Sequence, residues 1–196
     1  MLEQPSVATG AKAGGEQHRL FFALLPDEAT RALISRAAAW LQASYLPTGR
    51  WIAPDEFHVT LRFIGEDSRL NEALVERAML AGKAVRMEVF DLLFDSALSF
   101  HGARPPWVLR CREPAEPLHR LWRSLDVAMA GEGVHSDSGL DFVPHVTVLR
   151  HADKPLPACA IDPIAWPVRD FALMHSQPGK PRRYAELGRW RLSESG

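Results

Sequence analysis

The sequence predicts an α+β fold of two similar lobes: a bilobal, duplicated arrangement of two antiparallel sheets, with helices on the outer faces and a central cleft. Three observations predict it. Short apolar runs bounded by Pro and Gly alternate with longer stretches whose apolar residues recur every three or four positions. The tripeptide His-Val-Thr occurs twice, at His58–Thr60 and His145–Thr147, each time followed by an aliphatic residue. The order strand, helix, loop, motif strand then recurs at a shift of 145 − 58 = 87 residues.

Arg19 to Leu25 is apolar and stops at Pro26, as a buried strand does. Asp27 is placed to cap a helix with the stripe Leu33, Ala37, Trp40, Leu41 and Ser44. Pro47, Gly49 and Pro54 mark a loop. Phe57 to Ile64 is expected as the first motif strand, closed by Gly65. A second helix is expected from Asp67 to Gly82, with Leu70, Leu74, Val75 and Ala78 on one side. Met87 to Leu98 and Trp107 to Cys111 read as strands, separated by breaks at Gly102, Pro105 and Pro106. Pro114 suits the first turn of a third helix reaching Ala130, striped by Leu118, Leu121, Leu125 and Met129. After a loop over 131–139, Phe142 to Leu149 is the second motif strand. Four prolines from Pro155 to Pro167 predict an extended connection. Arg169 to His175 and Arg183 to Leu192 are the last strands expected. The shift lays Leu20–Pro26 on Trp107–Glu113 and Asp27–Ala43 on Pro114–Ala130. A pseudo-twofold between such halves would set the motif strands face to face.

The 196 residues suffice for one domain. Residues 1–18 lack an apolar block and read as a disordered tail; 19–196 reads as a single bilobal domain, expected as a monomer. With 23 Lys and Arg against 24 Asp and Glu, the net charge of -1 argues against a broad cationic face for duplex nucleic acid. It leaves room for an RNA end or small nucleotide held by a few arginines. Cys111 and Cys159 are too few for a disulfide framework or metal knuckle, which fits free thiols in the cytoplasm. No apolar run has the length of a membrane span.

In a strand, residues i and i+2 share a face, so each motif presents an imidazole beside a hydroxyl. Histidine's pKa near 6.5 lets one copy act as base and another as acid around neutrality. His58 and His145 are therefore the expected catalytic pair, with Thr60 and Thr147 donating to phosphate oxygens. Continued alternation puts Arg62 on the face of His58 and Thr60, as a phosphate contact. Arg150 is a further candidate phosphate contact, although it has the opposite parity to His145 and needs a bulge or strand end to reach the cleft. Phe22, Tyr184 and Phe142 are candidates for nucleobase stacking. No phosphate-binding glycine loop, dinucleotide fingerprint or nucleophile elbow is present in the sequence. Neither a metal nor a nucleotide cofactor is expected.

These segments resemble the 2H phosphoesterase superfamily, and within it the RNA 2′,3′-cyclic phosphodiesterases, also called 2′-5′ RNA ligases. His18–Pro26 is similar to the family's opening strand. Trp51–Gly65 and Phe142–Arg150 resemble the surroundings of its two motifs, and Tyr184–Leu192 its C-terminal strand. Two departures stand out. Phe142 and Val143 occupy the place where the family often has a basic residue, and Ser99–Trp107 follows the pattern only loosely. The resemblance implies cofactor-free hydrolysis of a 2′,3′-cyclic phosphate at an RNA end or tRNA fragment to a 2′-phosphate. It also implies reversible, ATP-independent 2′-5′ joining. Small cyclic or 2′-5′-linked nucleotides are the alternative substrates, and a non-catalytic nucleotide-binding module the alternative function. The resemblance makes His145 the activator of water and His58 the proton donor; from the residues alone these roles can be exchanged.

Overall fold

The computed structural model describes residues 17–135, 142–177, 179 and 183–194. Alternation of buried and open side chains builds nine strands: β1 (His18–Leu24), β2 (Arg50–Trp51), β3 (Val59–Asp67), β4 (Phe90–Ser99), β5 (Trp107–Arg110), β6 (Val146–Arg150), β7 (Cys159–Val168), β8 (Asp170–Gln177) and β9 (Arg183–Arg191). Apolar stripes of longer period build α1 (Glu28–Tyr45), α2 (Glu72–Ala84) and α3 (Glu116–Gly131). Residues 1–16 of the expected tail and 136–139 of the expected loop lie outside the described residues, and β1 already begins at His18.

All strand pairs are antiparallel and follow the order β7-β4-β5-β6-β3-β1-β8-β9, with β2 beside β6. Where two sheets are expected, one continuous nine-stranded sheet forms, its two halves joined where β3 meets β6 at the pair Val59–Val146. The 87-residue recurrence falls on β1–α1–β3 and β5–α3–β6.

Capping fixes the helix starts. Asp27 Oδ1 accepts from Thr30 N at 2.8 Å, and Asn71 Oδ1 from Leu74 N at 3.1 Å. Asn71 thus starts α2 five residues later than expected, and β3 runs on to Asp67. In α1 the buried stripe is Thr30, Ile34, Ala38 and Leu41, one step round from the expected one, and Trp40 is 47% exposed. The α3 stripe of Leu118, Leu121, Leu125 and Met129 is buried as expected. The proline-rich segment holds a strand, β7, because it pairs only with β4. At an edge, Pro163 and Pro167 withhold no hydrogen bond that a second neighbour needs.

The helices cover one side of the sheet. Leu20, Phe22, Leu24, Phe171 and Leu173 face them in the first half, Trp107 and Leu109 in the second, within one core. The other side of β1 and β8 carries Phe21, Ala23, Ala172 and Met174, with Phe63 and Tyr184 packed on them. The site lies on this second side.

Candidate active site

The junction of the two halves brings the motifs together. Since Val59 pairs with Val146, the antiparallel register sets His58 opposite Thr147 and Thr60 opposite His145. Opposite residues stand about 4.5–5.5 Å apart at Cβ. Two imidazoles and two hydroxyls thus occupy one patch.

Both rings are fixed in the same way. His58 Nδ1 lies 2.7 Å from the Glu56 carbonyl oxygen, and His145 Nδ1 lies 2.7 Å from that of Val143. A carbonyl only accepts, so each Nδ1 donates and the neutral ring keeps its lone pair on Nε2. Each ring retains an open edge while protein crowds the rest, and this desolvation lowers both pKa values. His145 is pushed down to about 4, with the His58, Arg150 and Arg110 charges adding to burial. At His58 burial again dominates and Arg150 adds to it, while the hydrogen bond to Glu56 and the Glu56 carboxylate act the other way.

Arg150 reaches this patch. Trp107 pairs with Leu149 but Val108 with Thr147, so Val148 is an extra residue in β6. The bulge turns both Val148 and Leu149 into the core and reverses the parity beyond it. Arg150 then lines a narrow crevice with Ile52, Glu56, His58, Thr147 and Tyr184. Its buried Nε has no hydrogen-bond partner among the described residues. Gly49 closes the back of β6: a Cβ there would stand 2.8 Å from the Arg150 carbonyl oxygen.

The same device corrects the expectation for Arg62. Phe22 pairs with Arg62 but Ala23 with Thr60, so Leu61 is the extra residue and Arg62 faces away from Thr60. The Arg62 side chain is 3% exposed, sits 3.5 Å from the centre of the Trp122 ring and approaches Asp126 Oδ1 at 3.1 Å. It braces α3 and is no phosphate ligand. With the shift of 87, the partner of Arg62 is Leu149, and that of Arg150 is Phe63.

Phe22 is also corrected. It is fully buried between Phe171 and Trp190, where no base can reach it. Its neighbour Phe21 faces the site, 5.3 Å from the His58 ring centre, and Tyr184 lies at 6.0 Å. Phe100 stands edge-on to His145 at 4.8 Å. Strand parity alone separates Phe21 from Phe22; Phe100 follows β4 and carried no sequence signal. His151 is exposed beyond the end of β6, with φ 56. A cavity of about 460 Å³ between α1 and β7 contains neither motif. Among the described residues no group of three or more His, Cys, Asp or Glu is placed to hold a metal ion, and no helix is long and apolar enough to cross a membrane.

An antiparallel α+β sheet with paired His-x-Thr strands at its midline defines a phosphoesterase-like site. The family model of the 2′-5′ RNA ligase superfamily matches residues 20–180, and the chain belongs to that family. It is 34% identical over 186 residues to the RNA 2′,3′-cyclic phosphodiesterase of Escherichia coli K12, covering 91% of this chain and 99% of that one. The crystal structure of E. coli LigT in apo form superposes with a TM-score of 0.71 at 31% identity, over 92% of this chain and 100% of that one. LigT complexed with 3′-AMP matches with a TM-score of 0.69 at 30% identity, over the same shares of the two chains.

Proposed function

We propose that this chain hydrolyses 2′,3′-cyclic phosphate ends of RNA or tRNA fragments to 2′-phosphates, using protein side chains alone. By the same chemistry it joins and cleaves 2′-5′ linkages without ATP. The observation that carries this reading is the pair of imidazoles, each tethered through Nδ1 and each opposite a Thr hydroxyl. Binding alone has no use for two such rings.

His145, held neutral by burial and by positive charge around it, is suited to the base. Its Nε2 takes a proton from water as the oxygen attacks phosphorus in line with O3′. His58, with Glu56 favouring its charged form, gives its proton to O3′ as the P–O3′ bond breaks. The phosphate stays on O2′. Thr60 and Thr147 donate to the non-bridging oxygens, and Arg150 meets their charge with a guanidinium whose burial strengthens the contact. Tyr184 and Phe21 then flank the terminal nucleoside on the His58 side.

The test is a short RNA ending in a 2′,3′-cyclic phosphate, incubated with protein in EDTA, the product resolved as 2′- or 3′-phosphate. A 2′-phosphate is expected. A 3′-phosphate would overturn the leaving-group assignment. No turnover of RNA, with turnover of a mononucleoside cyclic phosphate, would move the substrate to small nucleotides.

A further inference from the structure

A second cation stands beside the paired histidines, and an attacking water gives it nothing to bind. Along β5, Trp107 and Leu109 face the core, so Val108 and Arg110 face the site. Leu109 pairs with Val146, which sets Arg110 opposite His145. Nearby arginines are committed to carboxylates: Arg112 approaches Asp95 at 3.9 Å, Arg50 Glu56 at 3.1 Å and Arg62 Asp126 at 3.1 Å. Arg110 is half-buried, and its guanidinium has no hydrogen bond or ion pair among the described residues.

Arg110 also opens onto a hollow of about 190 Å³ whose walls include His119, Phe142, Val143 and Pro144. Phe142 is fixed there, stacked on Trp122 at 5.4 Å and edge-on to His119 at 5.4 Å. The hollow adjoins the site, because Val143, whose carbonyl anchors His145, belongs to its wall.

This is the side of the base, from which an in-line nucleophile enters, whereas Tyr184 and Arg150 lie on the side of His58. Water brings nothing that needs a cation and an aromatic wall. An RNA 5′-hydroxyl brings a nucleoside and, one residue on, a phosphodiester. We propose that Arg110 and the Phe142 hollow form the subsite for the strand carrying the 5′-hydroxyl in 2′-5′ joining, with Arg110 on that strand's first phosphodiester and Phe142 against its base. The proposal rests on the hydrolytic reading above. In joining, the 5′-oxygen forms the P–O5′ bond as P–O3′ breaks. The proton of the 5′-hydroxyl goes to His145, and His58 protonates O3′. Cleavage of a 2′-5′ linkage is the reverse, so no oxidant or nucleotide is consumed.

Two substrates test it: an RNA with one internal 2′-5′ linkage and an RNA ending in a 2′,3′-cyclic phosphate. Each is given to the unmodified protein, Arg110→Ala and Arg110→Lys. Arg110→Ala should lower kcat/KM for linkage cleavage, relative to cyclic-phosphate hydrolysis, about ten- to a hundredfold, mainly through KM, as losing a charge-assisted hydrogen bond does. Arg110→Lys should recover most of the ratio. An unchanged ratio overturns the proposal, and so does an equal fall in both reactions in Arg110→Ala and Arg110→Lys, which puts Arg110 on the reacting phosphate. Hydrolysis without any linkage cleavage by the unmodified protein overturns the subsite and leaves the hydrolase standing. Absence of both reactions overturns the two together.

Discussion

The two histidines differ less in their tethers than in the charges around them. Burial lowers both rings, cations on several sides of His145 add to it and Arg150 also acts on His58, so folding holds both below histidine's usual range. In the free enzyme kcat/KM needs His145 neutral and His58 protonated. On acidification activity is lost only when His145 takes a proton near its pKa of about 4. On raising pH it is lost as His58 releases one, below the ordinary 6.5. The kcat/KM profile should therefore peak on the acid side of 6.5. The kcat profile should lie at higher pH, because a bound phosphate anion favours both imidazolium forms. A kcat/KM optimum above pH 7.5 would contradict these roles. Arg150→Ala should lower kcat/KM about ten- to a hundredfold and move the acid limb upward, since a nearby cation no longer opposes protonation of His145. His58→Ala and His145→Ala should each cost about 10²-fold or more while far-UV circular dichroism stays unchanged.

At the level of single strands, bulges decide what each residue can do. Alternation in the sequence sets His58 with Thr60 and His145 with Thr147, because these pairs precede the extra residue. It fails one step later. Leu61 and Val148 look like ordinary members of their strands, and only pairing with β1 and β5 shows them to be extra. Hence Arg150 reaches the paired motifs and Arg62 does not. The apolar stripe of α3 is legible because every third or fourth position is strongly apolar; that of α1 is blurred by its many alanines. The edge position that lets Pro163 and Pro167 lie in a strand is a tertiary fact, absent from local sequence. With Arg62 over Trp122, Arg62→Ala should destabilise the fold by about 1–3 kcal/mol in urea unfolding, with kcat/KM changed less than about threefold. A large loss of activity at unchanged stability would return Arg62 to the site. Gly49→Ala should act in the opposite way. Its Cβ meets the Arg150 carbonyl oxygen at 2.8 Å and Leu149 Cδ1 at 2.9 Å, so β6 must shift and carry Arg150 with it. Activity should fall about tenfold or more through the displaced guanidinium.

Across the whole molecule the halves are tied by more than the Val59–Val146 pair, because each exchanges its helix. α1 follows β1 yet packs on β7, and its Tyr45 lies edge-on to Trp107 of β5 at 5.9 Å. α3 follows β5 yet packs on β3, where Trp122 receives Arg62. α2 completes the cover of the first half through close contact of Gly82 with Trp190. Neither half can bury its sheet with its own helix, so the residues that meet at the junction are positioned only when both halves are formed. Unfolding should then be one cooperative transition. Trp190 in the first half and Trp107 in the second can report separately, each kept in turn while the other five tryptophans are replaced by Phe. Their fluorescence midpoints in urea, measured within each variant, should coincide with that of far-UV circular dichroism and with loss of hydrolysis. Leu121→Ala, in the middle of the exchanged α3, should lower all of them together, by about 2–5 kcal/mol for a fully buried leucine. Separated midpoints, with Trp107 surviving loss of the Trp190 signal, would mean that the second half stands alone and that the helix exchange is not what couples them.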